Sequence, residues 1–202
     1  MVGFSAVDGD RSGELSSVPD IADVLSEILS RPAVEGVRLV GIDGPSGSGK
    51  STFARALADA AAAPLIETDD FASWIEMADW WPRFEEQVLG PLFGGSDARY
   101  QVRDWVGDEF GSSLRDWKSL RWSPFVVMEG VTCMRRAVAD RLAYAVWVDA
   151  PEELRLRRGL DRDGVDHRHL WVRWQAEEAR FLAEDRTRER ADLIIDTSGD
   201  RG

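Results

Sequence analysis

Five short apolar runs are spread along the chain, and each predicts a buried β-strand. The runs cover residues 37–42, 64–68, 125–129, 143–149 and 191–196. They are nearly continuous in apolar residues, and mostly helical patterns separate them, which is typical of a parallel sheet with helices on both faces. The pattern therefore predicts an α/β fold of three layers, in which a parallel five-stranded sheet is flanked by helices.

Helical periodicity covers residues 19–30, before the first strand, and residues 51–63, directly after it. Residues 1–17 are rich in Gly, Ser and Asp, which indicates a flexible tail ahead of a single domain at 18–202. Between residues 70 and 123 the periodicity is poorer, and six of the nine tryptophans lie there. We expect an insertion in this part of the domain.

Composition excludes several classes of protein. With 44% hydrophobic and 31% charged residues, the chain is typical of soluble globular proteins. Its net charge of −12 disfavours a nucleic-acid partner, because such binding needs a broad basic face. The chain has neither a long uncharged apolar stretch nor a basic start before an apolar run, so we expect no membrane partner, no secretory signal and a cytoplasmic protein.

Cysteine and histidine usage gives no sign of a metal centre. Cys133 is the only cysteine, which excludes an intramolecular disulfide and a Cys-rich zinc site. His167 and His169 are the only histidines, and without partners at metal-ligand spacing we expect them at the surface. Lys50 and Lys118 are the only lysines among 25 basic residues, so each retained lysine draws attention.

Residues 44–51 fit the pattern G-x-x-x-x-G-K-[ST] between a predicted strand and a predicted helix, as a phosphate-binding loop requires. Its residues, with the next one, are Gly44, Pro45, Ser46, Gly47, Ser48, Gly49, Lys50, Ser51 and Thr52. Backbone N–H groups of such a loop surround phosphates at the positive end of the following helix. We expect the loop to bind ATP, with Lys50 at the β- and γ-phosphates and the Ser51 hydroxyl on Mg²⁺.

The remaining motifs decide between a kinase, a switch GTPase and a motor. A guanine-reading N-K-x-D motif is absent, and the chain is short for a large ATPase. Residues 44–52, 68–71, 129–130 and an Arg-rich segment at 155–163 occur in the order found in uridine kinases. In these motifs the chain resembles the uridine kinase and phosphoribulokinase branch of P-loop kinases.

This resemblance implies ATP- and Mg²⁺-dependent phosphoryl transfer to a hydroxyl of a small metabolite, with uridine or cytidine as the leading acceptor. Asp69 stands where the family has its catalytic base, and a carboxylate there could orient the hydroxyl and accept its proton. A helix-capping role is the alternative for Asp69 and Asp70. Glu129 ends an apolar strand and would be a Mg²⁺ ligand, direct or through water, unless it is a chance acid at a strand end.

Further site residues follow from the same resemblance. The stretch with Phe84 and Glu85 is similar to a family element whose acid binds the ribose hydroxyls, and Tyr100 and Asp104 lie in an element similar to the acceptor pocket. The six tryptophans of the insertion could be core or could line the pocket for a planar base.

The segment at 155–165 is similar to the family's lid, in which arginines bind the phosphates. Arg158 and Arg162 are the candidates, although arginines also suit the end of a helix by charge alone. The sequence departs from the family at Ala72, where tyrosine is expected, and at Gly159, where arginine is expected.

Two alternatives remain from the sequence. A kinase of the same build could act on another hydroxylated metabolite, such as a vitamin precursor or a sugar phosphate. A nucleotide-dependent regulatory module that hydrolyses ATP slowly would carry the same phosphate-binding loop. The sequence also leaves a homo-oligomer open.

Overall fold

The computed structural model of the protein describes residues 18–75 and 77–199. The helices are α1 (Ile21–Ser30), α2 (Lys50–Ala60), α3 (Trp81–Phe84), α4 (Gly90–Phe93), α5 (Glu152–Asp163) and α6 (Arg168–Asp185). The strands are β1 (Arg38–Asp43), β2 (Leu65–Glu67), β3 (Ala98–Arg103), β4 (Leu114–Leu120), β5 (Phe125–Glu129), β6 (Leu142–Asp149) and β7 (Leu193–Asp196).

Five of the strands form one parallel sheet in the order β2-β5-β1-β6-β7. Ile42 of β1 and Glu67 of β2 both pair with Glu129 of β5, so these three strands end at the same level. The residues that follow each strand are thereby gathered at one edge of the sheet, where α/β proteins place their ligands.

Both faces of the sheet are buried, which explains the near-continuous apolar runs. Val40 and Ile42 of β1 pack with α1 and α2 on one face, and Leu39 packs on the other face with residues of the insertion. All three are 0% exposed, and full burial of one such side chain contributes about 1.5–3 kcal/mol. These two layers of helix and insertion fix the sheet and its ligand-binding edge.

The insertion between β2 and β5 contains a helical segment and a separate hairpin. The segment runs through α3, a π-helical turn at Glu85–Leu89 and α4. Strands β3 and β4 pair antiparallel, and β4 is exposed along nearly its whole length. The hairpin therefore stands beside the main sheet.

The predicted fold class is confirmed, and the five predicted strands have ends within one or two residues of those observed. The helix predicted before the first strand is α1. Residues 1–17, predicted as a tail, lie outside the described residues. No helix in the described ranges has both the length and the apolar character that crossing a bilayer requires.

Candidate active site

The loop between β1 and α2 has the tight shape that its glycines allow. Gly44 has φ +144°, and a Cβ there would lie 2.0 Å from the carbonyl oxygen of Val148. Gly47 has φ +79°, and a Cβ there would lie 2.5 Å from the carbonyl oxygen of Arg155. Because the loop passes directly against β6 and α5, only glycine fits at these two positions.

The start of α2 carries the two polar side chains that the motif predicts. Lys50 is buried, and its Nζ donates a 3.0 Å hydrogen bond to the carbonyl oxygen of Pro45 across the loop. Ser51 Oγ donates a 2.9 Å hydrogen bond to Glu129 Oε1 at the end of β5. Lys50, Ser51 and Glu129 line one cavity, so the structure brings these predicted residues together.

The carboxylate of Glu129 is almost completely buried, and burial raises its pKa to about 7. The positive charge of Lys50 acts in the opposite direction, and the nearby negative charge of Asp69 raises the pKa further. A second cation beside Glu129 would offset this cost. Two adjacent side-chain oxygens, from Ser51 and Glu129, suit a hard cation such as Mg²⁺, whose remaining ligands are waters and phosphate oxygens.

Asp69 follows β2 and lines the same cavity as Lys50 and Glu129. The Asp69 side chain is exposed to the cavity. The surrounding protein still desolvates its carboxylate, and this desolvation raises its pKa. The charges of Lys50 and Arg162 counteract part of this rise. The neighbouring Asp70 is engaged elsewhere, since it accepts hydrogen bonds from Lys118 at 2.7 Å and from Tyr100 at 3.3 Å.

The predicted lid arginines both line the cavity. Arg158 donates hydrogen bonds to the carbonyl oxygen of Gly47 at 3.2 Å and to Thr197 Oγ1 at 3.0 Å. Arg162 donates two hydrogen bonds to the carboxylate of Asp163, at 2.7 and 3.0 Å. Arg158 is therefore attached to the phosphate-binding loop, and Arg162 is attached to its own helix.

The other predicted acceptor contacts do not line the cavity. Phe84 is fully buried in the core, and Glu85 faces Arg141 at 3.8 Å. Tyr100 is buried and stacks on Phe71 with 5.1 Å between ring centroids. Asp104 caps a turn by accepting a 2.8 Å hydrogen bond from the N–H of Gly107. The structure thus groups Asp69 with the phosphate-binding loop and leaves these four residues outside the group.

Asp43 is a buried group that the sequence did not single out. Its carboxylate is 0% exposed and accepts hydrogen bonds from the N–H groups of Gly44, Thr132 and Met134, at 2.7 to 3.0 Å. Burial raises its pKa to about 6, although these hydrogen bonds oppose the rise. Asp43 thereby joins the first glycine of the phosphate-binding loop to the segment that follows Glu129.

Helix α6 holds the phosphate-binding loop from the other side. Glu178 is 1% exposed and accepts hydrogen bonds from the N–H of Ser46 at 3.0 Å and from Arg155 Nη1 at 2.9 Å. Trp174 Nε1 donates a 2.8 Å hydrogen bond to Ser46 Oγ. This contact joins residues 128 positions apart, and no local signal in the sequence points to it.

The cavity has a volume of about 940 Å³ and extends from the phosphate-binding loop to a wall of tryptophans. Glu109 and His167 also line it, and Glu109 Oε1 pairs with His167 Nε2. His167, predicted at the surface, is half-buried, because the segment between α5 and α6 folds against the insertion. The tryptophans at the wall are Trp74, Trp105, Trp171 and Trp174.

A protein-family model described as an AAA domain matches residues 40–189. The chain belongs to this family. The match covers the phosphate-binding loop, Asp69, Glu129 and α6, so these parts of the candidate site lie within the AAA domain.

Two curated proteins are similar to this AAA domain protein. Dephospho-CoA kinase of Deinococcus radiodurans is 26% identical over 180 residues, which cover 80% of this chain and 84% of the relative. A tRNA dimethylallyltransferase of a Bradyrhizobium species is 32% identical over 169 residues, and there the match spans 78% of this chain and 54% of the relative. The chain thus spans about half the length of the second relative.

Among solved structures, the AAA domain protein is similar to a possible uridine kinase from Bacillus stearothermophilus. The TM-score is 0.64 at 20% identity, and the match covers 87% of this chain and 97% of that one. At this identity the likeness establishes the fold alone, which is a P-loop NTPase fold. The fold expected from the resemblance to uridine kinases is thereby confirmed.

Proposed function

We propose that the protein is an ATP-dependent kinase that transfers the γ-phosphoryl group to a hydroxyl of a small metabolite. The observation that carries this proposal is the grouping of Lys50, Ser51, Glu129 and Asp69 around one cavity. The first three suit a magnesium-bound nucleotide, and Asp69 is a carboxylate beside them that opens into free space. The similarity to a dephospho-CoA kinase supports the same class of reaction.

Each of these side chains would have a distinct role in phosphoryl transfer. Lys50 and the loop N–H groups would hold the β- and γ-phosphates, and Ser51 with Glu129 would hold Mg²⁺. The metal, when bound, neutralises charge on the phosphates. Asp69 orients the acceptor hydroxyl and accepts its proton as the oxygen bonds to phosphorus. Arg158 and Arg162 approach the phosphates from α5 and stabilise the charge that moves toward ADP.

The aromatic wall of the cavity favours a kinase over a regulatory ATPase. Sites for one small ligand usually measure about 300–1,000 Å³. At about 940 Å³, the cavity lies near the top of this range, and its far wall is aromatic. An acceptor beside the nucleotide could lie against this aromatic wall, whereas a protein that only hydrolyses ATP has no need of it.

A nucleoside such as uridine or cytidine is the finer proposal for the acceptor. The order of the motifs supports it, and the indole rings at the cavity wall are suited to stacking on a planar base. The ribose contact expected from Glu85 receives no support, because Glu85 lies outside the cavity lining. Another hydroxylated metabolite, such as a vitamin precursor or a sugar phosphate, is the alternative acceptor.

The test is a screen of ADP release with purified protein, MgATP and single acceptors, namely nucleosides, sugars, sugar phosphates and vitamin precursors. We expect one group of compounds to stimulate ADP release strongly and to yield a phosphate ester by mass spectrometry. Lys50→Met is the control, because it removes the ammonium at the phosphates while keeping bulk, and it should abolish transfer. Equal turnover by Lys50→Met, or slow ATP hydrolysis that no acceptor stimulates, would refute the kinase.

A further inference from the structure

Four tryptophans from distant parts of the chain meet in one wall of the cavity. We name Trp74, Trp105, Trp171 and Trp174 the tryptophan box. Ring centroids place Trp74 at 6.2 Å from Trp105, 6.4 Å from Trp171 and 5.5 Å from Trp174, with interplanar angles between 72° and 87°. Such edge-to-face contacts hold each ring in a fixed orientation.

The tryptophan box presents indole ring surface to the cavity beside Asp69, the proposed catalytic base. Trp171 and Trp174 are buried and form its floor, whereas Trp74 and Trp105 are half-buried. Trp105 Nε1 donates a 2.9 Å hydrogen bond to the carbonyl oxygen of Asp69. A flat group that lies on Trp105 is therefore held next to the residue that would accept the hydroxyl proton.

Two departures from the family's motifs coincide with the box. A Cβ at Gly159 would lie 2.4 Å from the Trp171 ring, so Trp171 occupies the space of a side chain on α5. Ala72 lines the cavity with its small side chain, where the family has a tyrosine. Both positions carry small residues, and at Gly159 the Trp171 ring fills the adjacent space.

The charged side chains that line the cavity disfavour a phosphorylated acceptor. Apart from His167, the basic side chains in the described lining are Lys50, Arg158 and Arg162. Lys50 and Arg158 contact the phosphate-binding loop, and Arg162 is paired with Asp163. The carboxylate of Asp69 adds negative charge, which would repel a second phosphate group.

We propose that the tryptophan box selects the acceptor, which is an alcohol with a planar aromatic ring and without a phosphate group. This inference rests on the proposed kinase function and narrows its acceptor. The tryptophan box would accept planar alcohols, such as nucleosides or hydroxymethyl heterocycles, and would exclude sugar phosphates and acceptors that contain a diphosphate. The ring lies on Trp74 and Trp105, and its hydroxyl faces Asp69.

Calorimetric titration of the whole protein, with MgADP bound, tests the proposal with matched probes. Uridine and 3-(hydroxymethyl)pyridine are the planar probes, ribose and cyclohexylmethanol are the non-planar ones, and uridine 3′-monophosphate adds a phosphate to the first. We expect the planar, phosphate-free probes to bind at least about tenfold more tightly than their partners, a difference of about 1.4 kcal/mol.

The variant Trp74→Ala should weaken binding of the planar probes by about 5- to 150-fold, the range expected for loss of one stacked aromatic ring. Trp117→Ala is the matched control, because Trp117 is 49% exposed on β4 and does not line the cavity. MgADP affinity of both variants reports on the phosphate-binding loop. If Trp74→Ala does not fold, Trp74→Phe should give stable protein with an intermediate affinity.

Equal binding of planar and non-planar probes, tighter binding of the 3′-monophosphate, or absence of planar-probe binding up to millimolar concentrations would overturn the proposal. So would an equal effect of Trp74→Ala and Trp117→Ala. Failure of the kinase function is a separate result, since it would appear as intact binding of MgADP and planar probes without ADP release from any acceptor.

Discussion

The Ser51 hydroxyl donates a 2.9 Å hydrogen bond to the Glu129 carboxylate, although the two residues are 78 positions apart in the chain. This contact joins the first turn of α2 to the end of β5. It places two oxygen atoms side by side at the cavity, in a region that burial makes unfavourable for an uncompensated negative charge. Because Ser51 and Glu129 are in contact, a substitution of one residue tests the proposed metal-binding role of the pair.

Glu129→Gln should raise the Mg²⁺ concentration needed for half-maximal activity by about 10- to 100-fold, because a neutral amide is a weaker partner for a hard cation. The measurement is a Mg²⁺ titration of the initial rate at saturating ATP. Glu67→Gln is the matched control, because Glu67 pairs with Glu129 in the sheet register but bonds to Arg55. Similar Mg²⁺ requirements for both variants would contradict the assignment.

Asp69→Asn should lower kcat by about 10²- to 10⁴-fold with nearly unchanged ATP affinity, because the amide keeps the shape but cannot accept a proton. Steady-state kinetics, with the fold checked by thermal melting, provides the measurement. Asp70→Asn serves as control, since Asp70 pairs with Lys118 and Tyr100. Wild-type kcat in a folded Asp69→Asn protein would favour the capping role, which Asn fills as well as Asp.

Glu178→Gln should weaken ATP binding and lower the melting temperature. The amide can accept from the Ser46 N–H or from Arg155, but its NH₂ group faces the other donor and leaves it unpaired. Breaking a buried ion pair costs about 3–5 kcal/mol. Nucleotide titration and thermal melting measure the two effects, and the exposed Glu184→Gln on the same helix is the control. Unchanged ATP affinity would show that the loop keeps its shape without this contact.

Stability should depend on pH through Asp43, whose pKa is raised by burial from 3.8 to about 6. A group whose pKa is higher in the folded state stabilises the fold below its unfolded pKa, and this contribution is lost as the pH rises through the folded value. The free energy of unfolding should therefore fall between about pH 4 and pH 6, by at most about 3 kcal/mol from this group. Denaturant titrations at several pH values measure the slope.

The variant Asp43→Asn should be less stable overall, because its NH₂ group faces backbone N–H donors, and it should lack the part of the slope that Asp43 supplies. Parallel titrations of the variant separate Asp43 from other groups. An identical slope in both proteins would assign the pH dependence to other carboxylates.

The sheet and the phosphate-binding loop could be predicted because their signals are local. Each strand is a short apolar run, and Lys50 and Ser51 stand in one contiguous motif. The hairpin β3–β4 was not predicted, because β4 is exposed on nearly every residue and shows no buried alternation.

The aromatic wall of the cavity also escaped prediction as a unit. Trp74, Trp105 and Trp171 come from segments that meet only in the folded chain. Glu178 and Asp43 escaped for the same reason, because their role lies in hydrogen bonds to distant backbone N–H groups. The pattern of residue types along the chain does not indicate such contacts.

The close packing of α5, α6 and the phosphate-binding loop has a thermodynamic consequence. Arg155 bonds to Glu178, Glu178 bonds to the loop at Ser46, and the backbone of Gly47 lies directly against α5. A shift of the two helices would therefore displace the loop, so helix position and nucleotide affinity belong to a single equilibrium. Such coupling is reciprocal. If an acceptor moves α6 through Trp174 and thereby changes the affinity for ATP by some factor, bound ATP must change the affinity for that acceptor by the same factor.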